Sequence, residues 1–144
     1  MGYYHAKVGM VLICDFSGFR APEMVKRRPV VVVGEEVVGR QGTCLIVPLS
    51  TTEPSPVTGF HVQLDPLSLP SRFRSKPNWV KADMITSVAC DRLDRIMNGK
   101  DNFGKRQYVT HSVTPNDLLR IRRAILVGLH ISHLASGLVD EQDF

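Results

Sequence analysis

The sequence predicts a mainly β protein closed by one C-terminal helix, on three observations. Short apolar or alternating runs recur from Val8 to His111, each bounded by glycine, proline or small polar residues. This is the rhythm of strands and turns, and it suits a small barrel or tightly curled sheet. One run, Val30 to Val33, is all valine, whose branched side chains favour strand over helix. Only after Val113 does the apolar spacing become helical.

Taken in order, Val8 to Phe16 reads as the first strand, with Asp15 near its end. Ser17 to Pro22 is loop chemistry, holding a glycine and a proline without a hydrophobic period. Pro29 to Val33 is the second strand. Proline cannot donate to a ladder, so Pro29 belongs at the strand's first residue. Arg28 is thereby held at the mouth of a rigid element, while Glu23 to Arg27 stay in solvent.

Gly34 to Gly42 is a polar loop. Thr43 to Leu49 is the third strand, running into Ser50-Thr51-Thr52, and Pro48 predicts an edge or a bulge. Glu53 to Thr58 is a turn. Gly59 to Asp65 alternates, with Phe60, Val62 and Leu64 on one face and His61, Gln63 and Asp65 on the other. Pro66 to Pro77 is a loop bearing Arg72, Arg74 and Lys76. Asn78 to Ile85 reads as one strand, and the stretch from there to Ile96 as a turn and a short strand. Asn98 to Arg106 reads as a loop, and Gln107 to His111 as the last strand.

Thr114-Pro115-Asn116-Asp117 supplies an N-cap, a proline at the first helical position and an acid in the first turn. Leu118, Ile121, Ile125 and Leu129 follow at helical spacing, with Arg120, Arg122 and Arg123 opposite. Gly137 is the expected stop, and residues 139–144 form an acidic, loose tail.

The 144 residues fit a single domain. With 43% hydrophobic and 22% charged residues, the chain builds a core, and general disorder is excluded. A formal net charge of +4 suits a polyanionic partner. Cys14, Cys44 and Cys90 are odd in number and lie far apart in strand-like surroundings. They read as buried free thiols and point to a reducing, cytoplasmic compartment. No run approaches a membrane span. His5, His61, His111, His130 and His133 form no metal-ligand spacing, so neither metal nor cofactor is expected.

The stretch from Glu23 through Arg28-Pro29 into the valines resembles the start of the second strand in MazF/PemK toxins. Val47-Pro48-Leu49-Ser50-Thr51 is similar to the end of their third strand, and Lys81-Ala82-Asp83 to a later strand of the PemK branch. Thr86-Ser87, Arg92-Leu93 and the capped last helix follow the same order, from Val8 to about Leu134. The resemblance implies an SH3-like barrel of the MazF/CcdB type and a homodimer. It also implies metal-free cleavage of single-stranded RNA and a cognate antitoxin. Two departures stand out: Lys81 replaces an arginine, and Pro22, Met24, Val25 and Lys26 replace a glycine- and glutamine-rich loop, which leaves base preference open.

RNA carries its own nucleophile in the 2′-hydroxyl. A site must take that proton, neutralise the phosphoryl oxygens and stabilise the departing 5′-oxygen. The expected products are a 2′,3′-cyclic phosphate and a 5′-hydroxyl. Arg28 is the expected phosphate-stabilising group, because a guanidinium spans two phosphate oxygens. Asp83 and Glu23 are alternative bases. Ser50 and Thr51 are alternative hydroxyls, because strand alternation would point them to opposite sides. Lys81, Arg20, Phe19, Arg27 and His61 are expected substrate contacts. Two competing readings are a CcdB-like gyrase inhibitor and a non-catalytic RNA-binding barrel. The first depends on a tryptophan-bearing C-terminal end, and residues 139–144 contain no tryptophan.

Overall fold

A computed structural model describes residues 5–39 and 41–135. The acidic tail and Gly137 lie outside the described residues. Among the described residues, ten strands precede one α-helix. They are β1 (Met10–Cys14), β2 (Arg28–Gly34), β3 (Thr43–Ser50), β4 (His61–Gln63), β5 (Trp79–Lys81), β6 (Thr86–Ala89), β7 (Leu93–Asp94), β8 (Ile96–Lys100), β9 (Arg106–Val109) and β10 (His111–Ser112), and the helix α1 spans Pro115–Gly128.

Eight strands form one sheet in the order β10-β1-β2-β3-β5-β4, with β6 added to β3 and β7 to β1, while β8 and β9 pair as a separate hairpin. The class is the expected one, mainly β with a C-terminal helix. The sheet is not closed into a barrel, since β4 and β10 end the path. At the β4 end the helix lies over the open edge: Arg120 Nη1 donates to the Gln63 carbonyl at 3.0 Å, which protects an edge that would otherwise invite pairing.

The valine run is buried on both faces of the sheet. Val31 stands beside Val11 and Val47 in the register and joins the cluster containing Ile121 and Ala124 of α1. Val30 and Val32 belong to the opposite cluster with Leu12, Phe16, Ile46 and Leu93. A strand covered on both sides has no polar face, so its sequence shows no alternation.

Four expectations need correction. Pro48 is on a central strand, buried and opposite Val30. It lies between the β3 residues that pair with β6 and those that pair with β5, where that edge changes partner. The run from Asn78 to Ile85 is not one strand: after Lys81 it folds into a 3-10 turn, Ala82–Met84, which carries Asp83. The expected loop after Asn98 is instead the β8–β9 hairpin.

The helix also ends earlier than Gly137. Leu129 is its C-cap, and His130 adopts a left-handed φ of 61°. Ile131 N bonds to Leu126 O, and His130 N to Val127 O, both at 3.0 Å. This pair of bonds closes a helix in a Schellman motif, and Leu129 is left half-exposed rather than packed.

The start of the helix is as expected: Thr114 caps it through the Asp117 N–H, with Pro115 in the first turn. Near the other end, Gly128 lies against the Ala82–Met84 turn. A Cβ at Gly128 would stand 2.9 Å from Asp83 Cα and 3.1 Å from Asp83 N, both backbone atoms. Gly128→Ala is therefore expected to destabilise the fold by about 1–3 kcal/mol through overpacking, read as a lower urea midpoint.

All three cysteines are free and buried. Burial pushes Cys14 and Cys44 up to about 12. Burial, with the neighbouring Glu36 carboxylate adding to it, also raises Cys90. Reactivity belongs to the thiolate, and at pH 8 a thiol titrating near 12 is ionised in roughly one molecule in ten thousand. Native protein is expected to resist iodoacetamide at Cys14 and Cys44, and guanidinium-unfolded protein to take up the label at both, as read by peptide mass.

Candidate active site

Arg28 is the first residue of β2, paired with Cys14 of β1. Because β2 and β3 are antiparallel and Val30 faces Pro48, the start of one strand and the end of the other meet at the same rim. Arg28 and Ser50 arrive there together. They line one cleft with Lys26, Thr51, Thr52 and Asn78, about 330 Å³ in volume, within the range of ligand sites.

Arg28 is half-buried, and its Nε is the one buried side-chain polar atom among the described residues that has no hydrogen-bond partner. Leaving such a donor unpaired costs about 1–3 kcal/mol, and folded proteins tolerate few of them. Arg28 as a residue lines the cleft, and a guanidinium fork suits phosphate oxygens.

Ser50 is half-buried at the strand end, and its Oγ accepts from Thr52 N at 3.2 Å. That turn bond occupies a lone pair and leaves the O–H as a free donor. Thr51 lines the same cleft as Ser50. The expected opposition between the two does not arise, because β3 stops at Ser50 and the chain bends. Asn78 is buried behind them, and its Nδ2 donates to the carbonyls of Phe73 and Lys76, each at 3.2 Å. It fixes a wall of the cleft.

On its other side Arg28 opens into a wider groove of about 470 Å³. Arg27, Arg72, Arg95 and Arg106 line it, with Asp94 as the carboxylate. Asp94 Oδ1 accepts from Arg95 N at 2.8 Å.

The remaining predicted residues sit elsewhere. Asp83, Lys81 and His61 share a second cleft with Thr58. Ser50 is paired with Trp79, and β5 runs on through Lys81 before the turn that holds Asp83. That separation is about 10 Å along the strand. His61 Nδ1 accepts from Thr58 N at 3.0 Å, so its proton in the neutral form is on Nε2.

Glu23 and Phe19 border a third cleft. Glu23 Oε1 accepts from Arg20 N, and Glu23 N donates to Arg20 O, both at 2.8 Å, so the pair closes its own loop. Arg20 itself is exposed. Phe19 packs edge-on against Phe16 at 5.3 Å, with the Arg92 guanidinium 5.0 Å from its ring centroid. Arg92 also donates to the carbonyls of Asp15 and Ser17, anchoring the loop that leads to Arg28.

Sequence reasoning missed Asn78, Asp94, Arg95 and Arg106. The β1–β7 pairing brings Asp94 to the rim, and the β8–β9 hairpin brings Arg106. Among the described residues, no group of three His, Cys, Asp or Glu side chains could hold a metal, and no helix is long and apolar enough to cross a membrane.

Three comparisons bear on this arrangement. The family model of PemK-like, MazF-like toxins of type II toxin–antitoxin systems matches residues 7–127. An uncharacterized protein of Haemophilus influenzae is 26% identical over 144 residues, covering 91% of this chain and 94% of its own. Among solved structures, an endoribonuclease from a mycobacterial species superposes with a TM-score of 0.59 at 22% identity, covering 90% of this chain and 96% of that one. A mycobacterial endoribonuclease in complex with its cognate antitoxin gives 0.57 at 21% identity, covering 86% and 94%. At these identities the solved structures establish the fold.

Proposed function

The chain belongs to the family of PemK-like, MazF-like toxins of type II toxin–antitoxin systems, and from that premise we propose that it is an endoribonuclease toxin cutting single-stranded RNA at the Arg28–Ser50 cleft. The observation that carries this reading is that Arg28, whose Nε has no hydrogen-bond partner, lines one cleft with Ser50, a hydroxyl that still has its proton to give.

In this mechanism the RNA 2′-oxygen attacks the adjacent phosphorus and loses its proton to a carboxylate. The Arg28 fork and the Ser50 O–H bind the non-bridging oxygens as negative charge gathers on them. The bond from phosphorus to the 5′-oxygen breaks, that oxygen takes a proton from solvent water, and a 2′,3′-cyclic phosphate and a 5′-hydroxyl leave. Arg28 acts as an electrostatic stabiliser rather than an acid, because a guanidinium gives up its proton too reluctantly to serve as one. This route passes through no metal ion.

For the base, Asp83 lines its own cleft and would enter this one from the second copy of a homodimer. Asp94 borders Arg28 within one copy. Asp83→Asn and Asp94→Asn separate these alternatives, the true base costing about 10²–10⁴ in rate. A cognate antitoxin with an acidic segment would neutralise the toxin by occupying the basic rim, in the cytoplasm.

The test is cleavage of an unstructured RNA set against its all-deoxy counterpart. RNA is expected to be cut and the deoxy strand left intact; equal cutting of both would end the proposal. Ser50→Ala is expected to slow cleavage by about tenfold to a hundredfold, and Thr51→Ala by less.

A further inference from the structure

We propose that the β8–β9 hairpin is a second RNA-binding element, a cationic finger with an aromatic tip that takes the strand onward from the cleft at Arg28. The inference rests on the nuclease reading for the identity of the strand. Its own evidence lies in residues that reading does not use.

The hairpin stands apart from the main sheet. Only Ile96 at its root is buried, and the rest of β8 is exposed. It carries Lys100, Lys105 and Arg106, with Arg95 at its base. Its acid, Asp101, is used internally. Asp101 Oδ1 accepts from Phe103 N at 2.8 Å and Lys105 N at 2.9 Å, and Oδ2 from Gln107 Nε2 at 3.2 Å. Asp101 N also donates to Lys105 O at 2.8 Å, and Gly104 turns the chain with a φ of +78°.

This carboxylate clamp fixes the tip, and the fixed tip holds Phe103 at 95% exposure. A phenylalanine displayed on a rigid turn and packed on nothing is a surface for stacking. A base has the matching face, whatever its identity.

The root of the hairpin supplies the other half of the argument. Arg95 and Arg106 line one groove with Arg27, Arg28 and Arg72. Arg72 Nη1 donates to the Met97 carbonyl at 2.9 Å, tying the hairpin to the loop that carries Arg72. Arg95 lies 4.7 Å from the Tyr108 ring centroid, which orients its guanidinium. Arg28 lines both this groove and the cleft with Ser50. A strand whose reacting phosphate sits at Arg28 would therefore continue along these arginines. Five arginines around a single acid suit repeated phosphates better than a protein surface of mixed charge.

The test uses uncleavable 2′-O-methyl RNA of about 4 and about 12 nucleotides, with affinity read by fluorescence anisotropy across a salt series. Wild type is expected to bind the longer strand at least tenfold more tightly. The double variant Arg95→Gln/Arg106→Gln is expected to lose most of that gain, and its salt slope to fall by about 1.4, from two lost phosphate contacts. Phe103→Ala is expected to weaken the longer strand about tenfold and to spare the short one. Thermal melting of each variant checks that it folds.

Equal affinity for both lengths, or variants that bind like wild type, would overturn the inference. Unchanged RNA affinity with lost self-association would overturn it too, and would make the hairpin a protein interface. The strand cannot be cut, so the result does not depend on catalysis. A hairpin that binds RNA in a protein that cleaves none would refute the nuclease reading alone.

Discussion

Arg28→Ala is expected to lower the rate of RNA cleavage by about a hundredfold to a thousandfold, the cost of removing one preorganised donor from a charged transition state. The scaffold is expected to survive, because the β1–β2 ladder uses the backbone of residue 28 and not its side chain. Removing a buried Nε that bonds to nothing costs little on its own. Arg28→Lys keeps the charge and loses the fork, so it is expected to recover only part of the rate. Single-turnover cleavage of a labelled oligonucleotide, paired with thermal melting, separates chemistry from stability. Cleavage by a well-folded Arg28→Ala at the wild-type rate would remove the main assignment.

The largest expected loss of stability lies at Asp117, away from the cleft. The sequence marks it as a first-turn acid favoured by the helix dipole, an effect of at most about 1 kcal/mol on a surface. In the structure it is 1% exposed and holds the helix to the distant loop that follows β4. Its Oδ2 accepts from Asp65 N at 2.8 Å and from Ser68 Oγ at 2.5 Å, and its Oδ1 from Arg120 Nη1 at 2.8 Å. Ser68 Oγ in turn accepts from Thr114 N at 2.9 Å, beside the cap. Asp117→Ala would leave the Asp65 N–H and the Ser68 O–H without their acceptor, each a penalty of about 1–3 kcal/mol. A loss of about 3 kcal/mol is expected, measured as a fall in the urea midpoint. Arg120→Ala is expected to cost much less, since its side chain is 42% exposed and water can replace the bond.

What was legible in the sequence is what local chemistry determines. The Thr114-Pro115 start of α1 is written in neighbouring residues, and so is the Pro29 start of β2. Arg28 and Ser50 stand out by their likeness to family motifs, and the antiparallel pairing of β2 with β3 is what brings them to one rim. The turn at Asp83 was not legible. It is set by α1 seating Gly128 on the backbone of Ala82 and Asp83, a contact between segments far apart in the chain. The helix end was misread because the left-handed residue is His130 and not a glycine.

The β8–β9 hairpin was read as a loop for a different reason. Exposed on both faces beyond Ile96, it leaves no alternation to detect. The rim residues Asp94 and Arg106 escaped notice because the β1–β7 and β8–β9 pairings deliver them, and neither pairing has a sequence signature.

The central claim is that a guanidinium and an alcohol at one end of adjacent strands drive attack by the RNA's own 2′-oxygen. Mass spectrometry of the fragment ends, after cleavage in excess chelator, tests it most directly. The account predicts a 2′,3′-cyclic phosphate on the upstream fragment and a 5′-hydroxyl on the downstream one. A 3′-hydroxyl with a 5′-phosphate, or cutting that stops when divalent ions are withdrawn, would contradict it.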